Sequence, residues 1–226
     1  MKLTTVKVPE RIEPLFKKAQ EFVSQYFENR KEDSTKGTIT IGNERYILIR
    51  AESMSVCFFE FIKNIYPGFE EEEANEIAMS ILFDLSHSIG LNDAKAFHKK
   101  MKVEDSIAKL SAGPIHFSYT GWAFVEIFEE SNPSPDENYY LIYDHPYSFE
   151  ADSWIKAGKY PDFPVCFMNA GYSSGWCEAS FGIELTAKEI LCRAKGDKVC
   201  RFIMASPDKI ERYIREYKEK NPDLFK

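Results

Sequence analysis

The sequence has no excess of basic residues, and this excludes one large class of function. Its 226 residues carry 36 acidic and 29 basic side chains, which gives a formal net charge of −7. A protein whose main partner is nucleic acid needs a basic face that neutralises phosphates. We therefore expect no direct nucleic-acid partner.

Long apolar runs and nucleotide-binding motifs are missing as well. No run reaches the roughly 18 apolar residues of a membrane helix, and the N-terminal segment lacks the apolar stretch of a secretory signal. Neither a phosphate-binding loop nor a nicotinamide or flavin fingerprint is present. The sequence predicts a cytoplasmic protein that has no membrane partner and no catalytic constellation, so we expect no enzyme.

Cysteine is scarce, and its count is odd. With five cysteines and no export signal, free or metal-bound thiols are expected rather than a disulfide framework. In "KEILCRAKGDKVCR" (188–201), a turn centred on Gly196 places Cys192 and Cys200 opposite each other, about 5 Å apart at Cβ. Cys166 offers a third sulfur for a zinc ion. Cys57 and Cys177 are expected to be ordinary buried thiols.

A fourth ligand is harder to find from spacing alone. Glu189 lies three residues before Cys192, and on a regular strand this offset places its side chain on the opposite face. A bulge near Ile190 or Leu191 would bring it round. Spacing therefore leaves both a zinc site and plain core packing open.

Hydrophobic periodicity divides the chain into helices and paired strands. The predicted helices cover residues 9–28, 52–65, 69–89, 94–111, 151–157, 163–181 and 207–220. The predicted strands cover a hairpin turning at Gly42–Asn43, residues 115–128 and 138–150, and the hairpin 184–205. Gly113–Pro114 is expected to end a helix, and Asp162 to cap one. Helices packed against a mainly antiparallel sheet, with a pocket between them, make this an α+β domain.

Several stretches resemble the 4-vinyl reductase domain, whose best-known members are sensory domains of bacterial regulators that respond to phenol and related aromatics. The resemblance is strongest in "PVCFMNAGYSSGWCEASFGIELTAKEILCRAKGDKVCRF" (164–202). It extends to "AGPIH" (112–116), "SFEAD" (148–152) and the hairpin "KGTITIGNERYILI", so it covers residues from about 36 to 205.

The resemblance implies a zinc ion held by Cys166, Glu189, Cys192 and Cys200. Four protein ligands close the coordination shell, so the ion is expected to be structural, on a zinc-bound C-terminal hairpin. Three thiolates and one carboxylate leave a formal charge of −2, which nearby cations would offset. These cations are Lys188, Arg193, Lys195, Lys198 and Arg201, although a solvated hairpin rim would explain some of them equally well.

The resemblance also implies a ligand pocket. His116, in the G-P-x-H pattern, is expected to hydrogen-bond the ligand's hydroxyl. The second polar contact of the phenol sensors is a tryptophan, which His145 replaces here, so we expect a roomier or more polar pocket whose ligand the resemblance does not fix. The expected wall residues are Trp122, Tyr143, Tyr172 and Trp176. The alternative is that these aromatic residues and His116 are plain core.

We thus expect a sensory domain at residues 36–205 that binds a small aromatic or hydrophobic ligand and regulates a transcriptional or signalling output. Residues 1–35 are expected to form a helical segment for homodimerisation, and residues 206–226 a helix toward an output domain or partner protein. The alternatives are a pigment- or lipid-binding accessory protein, a reductase-associated subunit, or a protein-interaction module of the kind found in vesicle-tethering complexes.

Overall fold

The chain forms one large sheet, one small sheet and a set of helices, and the structure, a computed structural model, describes residues 2–225. The helices are α1 (Glu13–Glu28), α2 (Val56–Ile65), α3 (Glu71–Met101), α4 (Ser106–Tyr119), α5 (Phe149–Lys156), α6 (Phe167–Phe181) and α7 (Ile210–Lys220). The strands are β1 (Val6–Lys7), β2 (Arg30–Asp33), β3 (Thr38–Ile41), β4 (Glu44–Tyr46), β5 (Val125–Ile127), β6 (Leu141–His145), β7 (Thr186–Leu191) and β8 (Cys200–Ala205).

The large sheet has the order β1-β5-β6-β8-β7, in which only the β1–β5 pair is parallel. All five residues of β6 are buried, as expected for a strand in the middle of a covered sheet. Alternate rungs of the β6–β8 ladder pair His145 with Cys200, Tyr143 with Phe202 and Leu141 with Met204. Paired residues on alternate rungs lie side by side on one face. This inner face therefore changes from thiol to aromatic to aliphatic along its length.

Helix α6 lies against the inner face, and α3 packs on α6. The Ser174 hydroxyl on α6 accepts a hydrogen bond of 2.9 Å from the Ala187 N–H on β7. A Cβ added to Gly90, Gly171 or Gly175 would lie 2.2 Å from a carbonyl oxygen of the facing helix. These three residues are glycine because the α3 and α6 backbones touch where they lie. The α3–α6 pair is thus fixed in register.

The small sheet has the order β2-β3-β4 and is antiparallel. Helix α1 is held to it by a hydrogen bond of 2.7 Å from the Tyr26 hydroxyl to the Ile41 carbonyl oxygen. Phe16 and Val23 on α1 are fully buried in the main core. The apolar stripe of α1 is therefore covered within the same chain.

The prediction of a strand at residues 115–128 is wrong for its first half. Helix α4 runs through Gly113–Pro114 to Tyr119, and only Val125–Ile127 is a strand. The Trp176 ring packs directly on Gly113, and its indole N–H donates to the Lys109 carbonyl oxygen at 3.2 Å. This contact satisfies a helix carbonyl next to the proline, so the helix continues. His116 accordingly lies on a helix and not on a strand.

Other boundaries also differ from the prediction. The two helices expected at 69–89 and 94–111 are one 31-residue helix, α3, followed by a break at Lys102, which has a φ of 55°. The polar stretch after α1 forms the strand β2, which the sequence analysis missed. Helix α6 begins at Phe167 with Cys166 at its N-cap, so Asp162 does not cap it. Over residues 2–225, no helix has both the length and the hydropathy needed to cross a membrane.

The candidate metal cluster and ligand compartments

The structure brings the four predicted metal ligands together. One ligand atom from each of Cys166, Glu189, Cys192 and Cys200 lies within 4.8 Å of all the others. The sulfur atoms of Cys166 and Cys200 are 3.6 Å apart, and all three cysteines are buried. The ladder ends at the Leu191–Arg201 pair, so its next rung would set Cys192 opposite Cys200, as the sequence predicted. We call this group the thiol cluster.

A bulge in β7 turns Glu189 toward the thiol cluster. Glu189 pairs with Phe202 and Leu191 pairs with Arg201, so Ile190 is an extra residue between two consecutive rungs. The bulge lies where the sequence analysis required it. It allows Glu189 Oε2 to accept a hydrogen bond of 2.9 Å from the Cys166 N–H.

The chemistry of the thiol cluster fits a divalent cation. Burial raises the pKa of the Cys166 thiol and of the Glu189 carboxyl group well above their ordinary values. Glu189 Oε1 is buried and has no hydrogen-bond partner among the described residues. A cation would satisfy this oxygen and stabilise the ionised ligands, and three sulfurs with one carboxylate are a donor set that zinc accepts.

A second layer of polar residues fixes the start of α6 beside the thiol cluster. The Glu150 carboxylate accepts hydrogen bonds of 2.9 Å from the N–H groups of both Met168 and Asn169. The Ser148 hydroxyl accepts from the Asn169 side chain at 2.7 Å and lies 3.1 Å from the Cys166 sulfur. The sequence analysis did not assign Glu150 a role, although an acidic residue flanked by "SF" and "AD" in an otherwise buried segment was a usable signal.

Three of the five hairpin cations pair with carboxylates outside the thiol cluster. Arg201 makes a two-pronged ion pair with Asp144, at 2.7 and 2.8 Å. Arg193 pairs with Asp152 and Lys188 with Glu211. The simpler interpretation, that hairpin cations serve the hairpin rim, therefore applies to these three.

Two compartments lie next to α6. The inner cavity is small, about 30 Å³, and Tyr143, Tyr172 and Trp176 line it together with Phe117 and other apolar residues. The outer groove measures about 620 Å³, within the roughly 300–1,000 Å³ typical of small-molecule sites. Residues of β3, β4, α3 and α4 line it, and Tyr172 belongs to both compartments.

His116 faces the outer groove and takes part in a chain of hydrogen bonds. Its Nδ1 lies 2.8 Å from the Tyr172 hydroxyl, and its Nε2 lies 3.4 Å from the Tyr46 hydroxyl. The Tyr172 hydroxyl also donates to Asp93 Oδ2 at 3.1 Å. Burial lowers the pKa of His116 to about 3, so its ring is neutral. The sequence predicted His116 and Tyr172 here but missed Asp93 and Tyr46, which other elements supply.

His145 is buried without a partner. It is fully inaccessible to solvent, and neither ring nitrogen has a hydrogen-bond partner in the described structure. The rings of Phe117, Tyr143 and Phe202 surround it, with centroid distances of 5.6, 5.2 and 4.6 Å. Burial lowers the pKa of His145 to about 3 and keeps it neutral. It lines neither compartment, so the two histidines do not share a cavity.

Phe117 separates the two histidines. Its ring contacts His145 on one side, and Trp122 and Tyr172 on the other at 5.2 and 4.8 Å. Trp122 lines the outer groove, whereas the Trp176 indole N–H is used within the core. The six residues predicted for the pocket are thus neighbours, but the Phe117 ring divides them.

Comparison with known proteins gives two family matches and several relatives. Residues 148–205 match the 4-vinyl reductase domain, and residues 30–131 match a family described as activator of aromatic catabolism. The phenol regulator MopR of Acinetobacter guillouiae is 27% identical over 117 residues, which are 52% of this chain and 21% of that protein. The transcriptional regulatory protein XylR of Pseudomonas putida is 24% identical over 170 residues, 75% of this chain and 29% of that protein.

A solved structure shares the fold. The phenol-responsive sensory domain of the transcription activator PoxR, crystallised with phenol, superposes with a TM-score of 0.71 at 19% identity. The match covers 89% of this chain and 96% of that one, and it confirms the predicted α+β fold. Both curated regulators extend far beyond the aligned region, because the chain matches less than a third of either. The chain thus carries a 4-vinyl reductase domain at residues 148–205 and is homologous to the regulators MopR and XylR.

Proposed function

We propose that this chain is a small-molecule sensory domain that binds an aromatic ligand and regulates transcription. The names of its relatives support this function, since MopR is a phenol regulator, XylR is a transcriptional regulatory protein and the PoxR domain is phenol-responsive. These relatives are regulators, so we propose no catalytic role. An output domain or a partner protein would carry the signal onward.

The observation that carries the proposal is the unpartnered imidazole of His145. A buried polar group that makes no hydrogen bond costs roughly 1–3 kcal/mol. Both ring nitrogens of His145 are in that position, inside a cage of three aromatic rings. A ligand with an aromatic ring and a polar substituent satisfies both features of this site.

The outer groove provides the entrance. A ligand ring that lies against Trp122 and Tyr172 brings its polar group to His116. The inner cavity, at about 30 Å³, holds little more than a water molecule, so a larger ligand needs the Phe117 ring to turn. Turning Phe117 would join the outer groove to the space around His145.

Calorimetric titration with phenol, 2-naphthol and cyclohexanol tests this function. We expect both phenols to bind more tightly than cyclohexanol, because the cage is aromatic. A His145→Trp variant fills the inner space with a larger ring, so it should favour phenol over 2-naphthol. If the wild-type protein binds none of the three compounds, the proposed function is wrong.

We also propose that the thiol cluster holds one structural Zn²⁺, bound by Cys166, Glu189, Cys192 and Cys200. The support is the convergence of the four ligand atoms and the unpartnered Glu189 Oε1. When bound, the ion supplies folding free energy and no chemistry on the ligand, since four protein ligands close its coordination shell. These residues fix the start of α6 against β7 and β8.

A homodimer remains part of the proposal, with residues 1–35 assigned to it. The buried face of α1 contributes to the core of its own chain, so any contact with a second copy must use the other face of this helix. Helix α7, which packs on the outer side of the large sheet through Ile210 and Ile214, is the proposed exit toward the output.

A further inference from the structure

The floor of the outer groove holds a chain of hydrogen bonds drawn from four elements. Asp93 on α3 accepts from the Tyr172 hydroxyl on α6 at 3.1 Å. Tyr172 lies 2.8 Å from Nδ1 of His116 on α4, and the other ring nitrogen of His116 lies 3.4 Å from the Tyr46 hydroxyl on β4. All four side chains line the outer groove.

Counting protons along this chain fixes who donates to whom. An ionised carboxylate only accepts, a tyrosine hydroxyl has one proton, and a neutral imidazole has one N–H. Tyr172 uses its proton to bond Asp93, so its oxygen must accept from His116. His116 therefore carries its proton on Nδ1, and Nε2 is left with a lone pair directed at Tyr46.

We infer that Asp93 is a positioning residue that acts through Tyr172 to hold His116 as the Nδ1-protonated tautomer, so that the outer groove selects ligands that donate a hydrogen bond. The inference rests on the proposed function and narrows its ligand class. The favoured ligands are neutral phenols and aromatic amines. Carboxylates, ethers and aldehydes offer Nε2 no proton and are disfavoured.

The acceptor on His116 is available to a ligand because its present partner is distant and has an alternative. The Tyr46 hydroxyl lies 3.4 Å from Nε2, at the limit of a hydrogen bond. It lies equally far from the Tyr26 hydroxyl, whose own proton goes to the Ile41 carbonyl oxygen at 2.7 Å. Tyr46 can therefore donate to Tyr26 when a ligand takes its place at His116.

The charge on Asp93 depends on the groups that face it. Burial raises the pKa of Asp93 to about 6, and the hydrogen bond from Tyr172 opposes that rise. Lys100, two turns further along α3, lowers this pKa, and Glu44 on β4 raises it. Lys100 and Glu44 pair with each other at 2.9 Å. His116 is neutral, and Asp93, with this pKa, is ionised at neutral pH.

The tautomer can be measured without any ligand. A long-range ¹H–¹⁵N correlation spectrum distinguishes the protonated ring nitrogen from the unprotonated one, and the His116→Gln variant assigns the His116 signals. In the wild-type protein we expect a proton on Nδ1. Asp93→Asn offers Tyr172 a donor as well as an acceptor, and Tyr172→Phe removes the link, so both variants should yield a mixture of tautomers. Glu44→Gln, which also removes a carboxylate from the groove, should leave the tautomer unchanged.

The ligand class is tested with phenol and anisole, its methyl ether, which has no proton to donate. We expect phenol to bind about tenfold more tightly than anisole to the wild-type protein and to Glu44→Gln, and this ratio to fall at least about fivefold in Asp93→Asn. A proton on Nε2 in the wild-type protein, or a ratio that Asp93→Asn and Tyr172→Phe both leave unchanged, overturns the inference. Failure of phenol to bind at all overturns the proposed function instead, and the ligand-free spectrum still decides the tautomer.

Discussion

The thiol cluster and the outer groove lie at two points along α6, and they treat buried polar atoms in opposite ways. In the thiol cluster, four ligand atoms converge and leave one oxygen of Glu189 without a partner among the described residues. In the outer groove, the polar atoms of Asp93, Tyr172 and His116 satisfy one another. The first arrangement is complete only with a cation, whereas the second is complete by itself and offers a ligand an acceptor at His116.

This difference separates what each region contributes. A site that needs an ion gains folding free energy from it, and so it stabilises the start of α6. A site that is already satisfied is preorganised, so it discriminates among ligands at little cost in stability. The two regions can therefore be disrupted separately by mutation, and the following predictions run from the largest expected effect to the smallest.

The largest effect is expected in the thiol cluster. We expect about one zinc per chain, and Cys192→Ser or Cys200→Ser should lose the ion and lower the free energy of unfolding by several kcal/mol. Elemental analysis and denaturant titration measure the two quantities. Cys57→Ser is the matched control, because Cys57 is exposed and far from the cluster in sequence. Protein purified without chelator that contains no metal would refute the prediction.

The second effect concerns His116. Replacing it with alanine removes the acceptor that the groove offers to a phenol hydroxyl, and we expect a loss of about 5- to 150-fold in affinity, from roughly 1–3 kcal/mol. Isothermal calorimetry measures the loss, with thermal unfolding as a check on the fold. His87→Ala is the control, since His87 pairs with Glu178 away from both compartments. Unchanged phenol binding in His116→Ala would place the ligand elsewhere and leave His116 as a core residue.

The third effect has the opposite sign, because His145 is unsatisfied without a ligand. Replacing it with phenylalanine removes two unpartnered nitrogens from an aromatic cage, so the ligand-free protein should become more stable by about 1 kcal/mol. Denaturant unfolding of both proteins without ligand measures the difference. A clear loss of stability would show that His145 has a polar partner in solution.

The smallest effect is a pH dependence. Because burial raises the pKa of Asp93 to about 6, the carboxylate that fixes His116 is present above that pH and is protonated below it. The preference for phenol over anisole should hold at pH 7.5 and decline severalfold by about pH 5, one unit below that pKa. His116 itself, with its pKa lowered to about 3, stays neutral across this range. Asp93→Asn should show no such decline, and an equal decline in that variant would assign the effect to another group.

The thiol cluster could be predicted from the sequence because three of its members lie close together along the chain. Cys192 and Cys200 flank one turn, and Glu189 required a single bulge, which the structure contains. The groove could be predicted only in part. Asp93 is one of many acidic residues on a long helix, and nothing in its neighbourhood marks it as the partner of Tyr172, about 80 residues away in the chain.

The error at residues 115–128 has the same origin. Alternating aromatic residues after a Gly-Pro pair are typical of a strand when read alone. The helix continues there because Trp176, on another helix, packs against Gly113 and donates to a nearby carbonyl oxygen. Local pattern was therefore overruled by a tertiary contact that the pattern does not record.

The glycine contacts between α3 and α6 have a mechanical consequence. Helix α3 has 31 residues, and the contact at Gly90 lies about 28 Å along its axis from Glu71. With the backbones in direct contact, Gly90 is a fulcrum and the first five turns of α3 are a rigid lever arm. A tilt of about 5° at Tyr172, which touches Gly90, would move the Glu71 end by about 2.5 Å. A ring-sized change in the groove is thereby converted into a displacement large enough for a partner surface at the far end of α3 to detect.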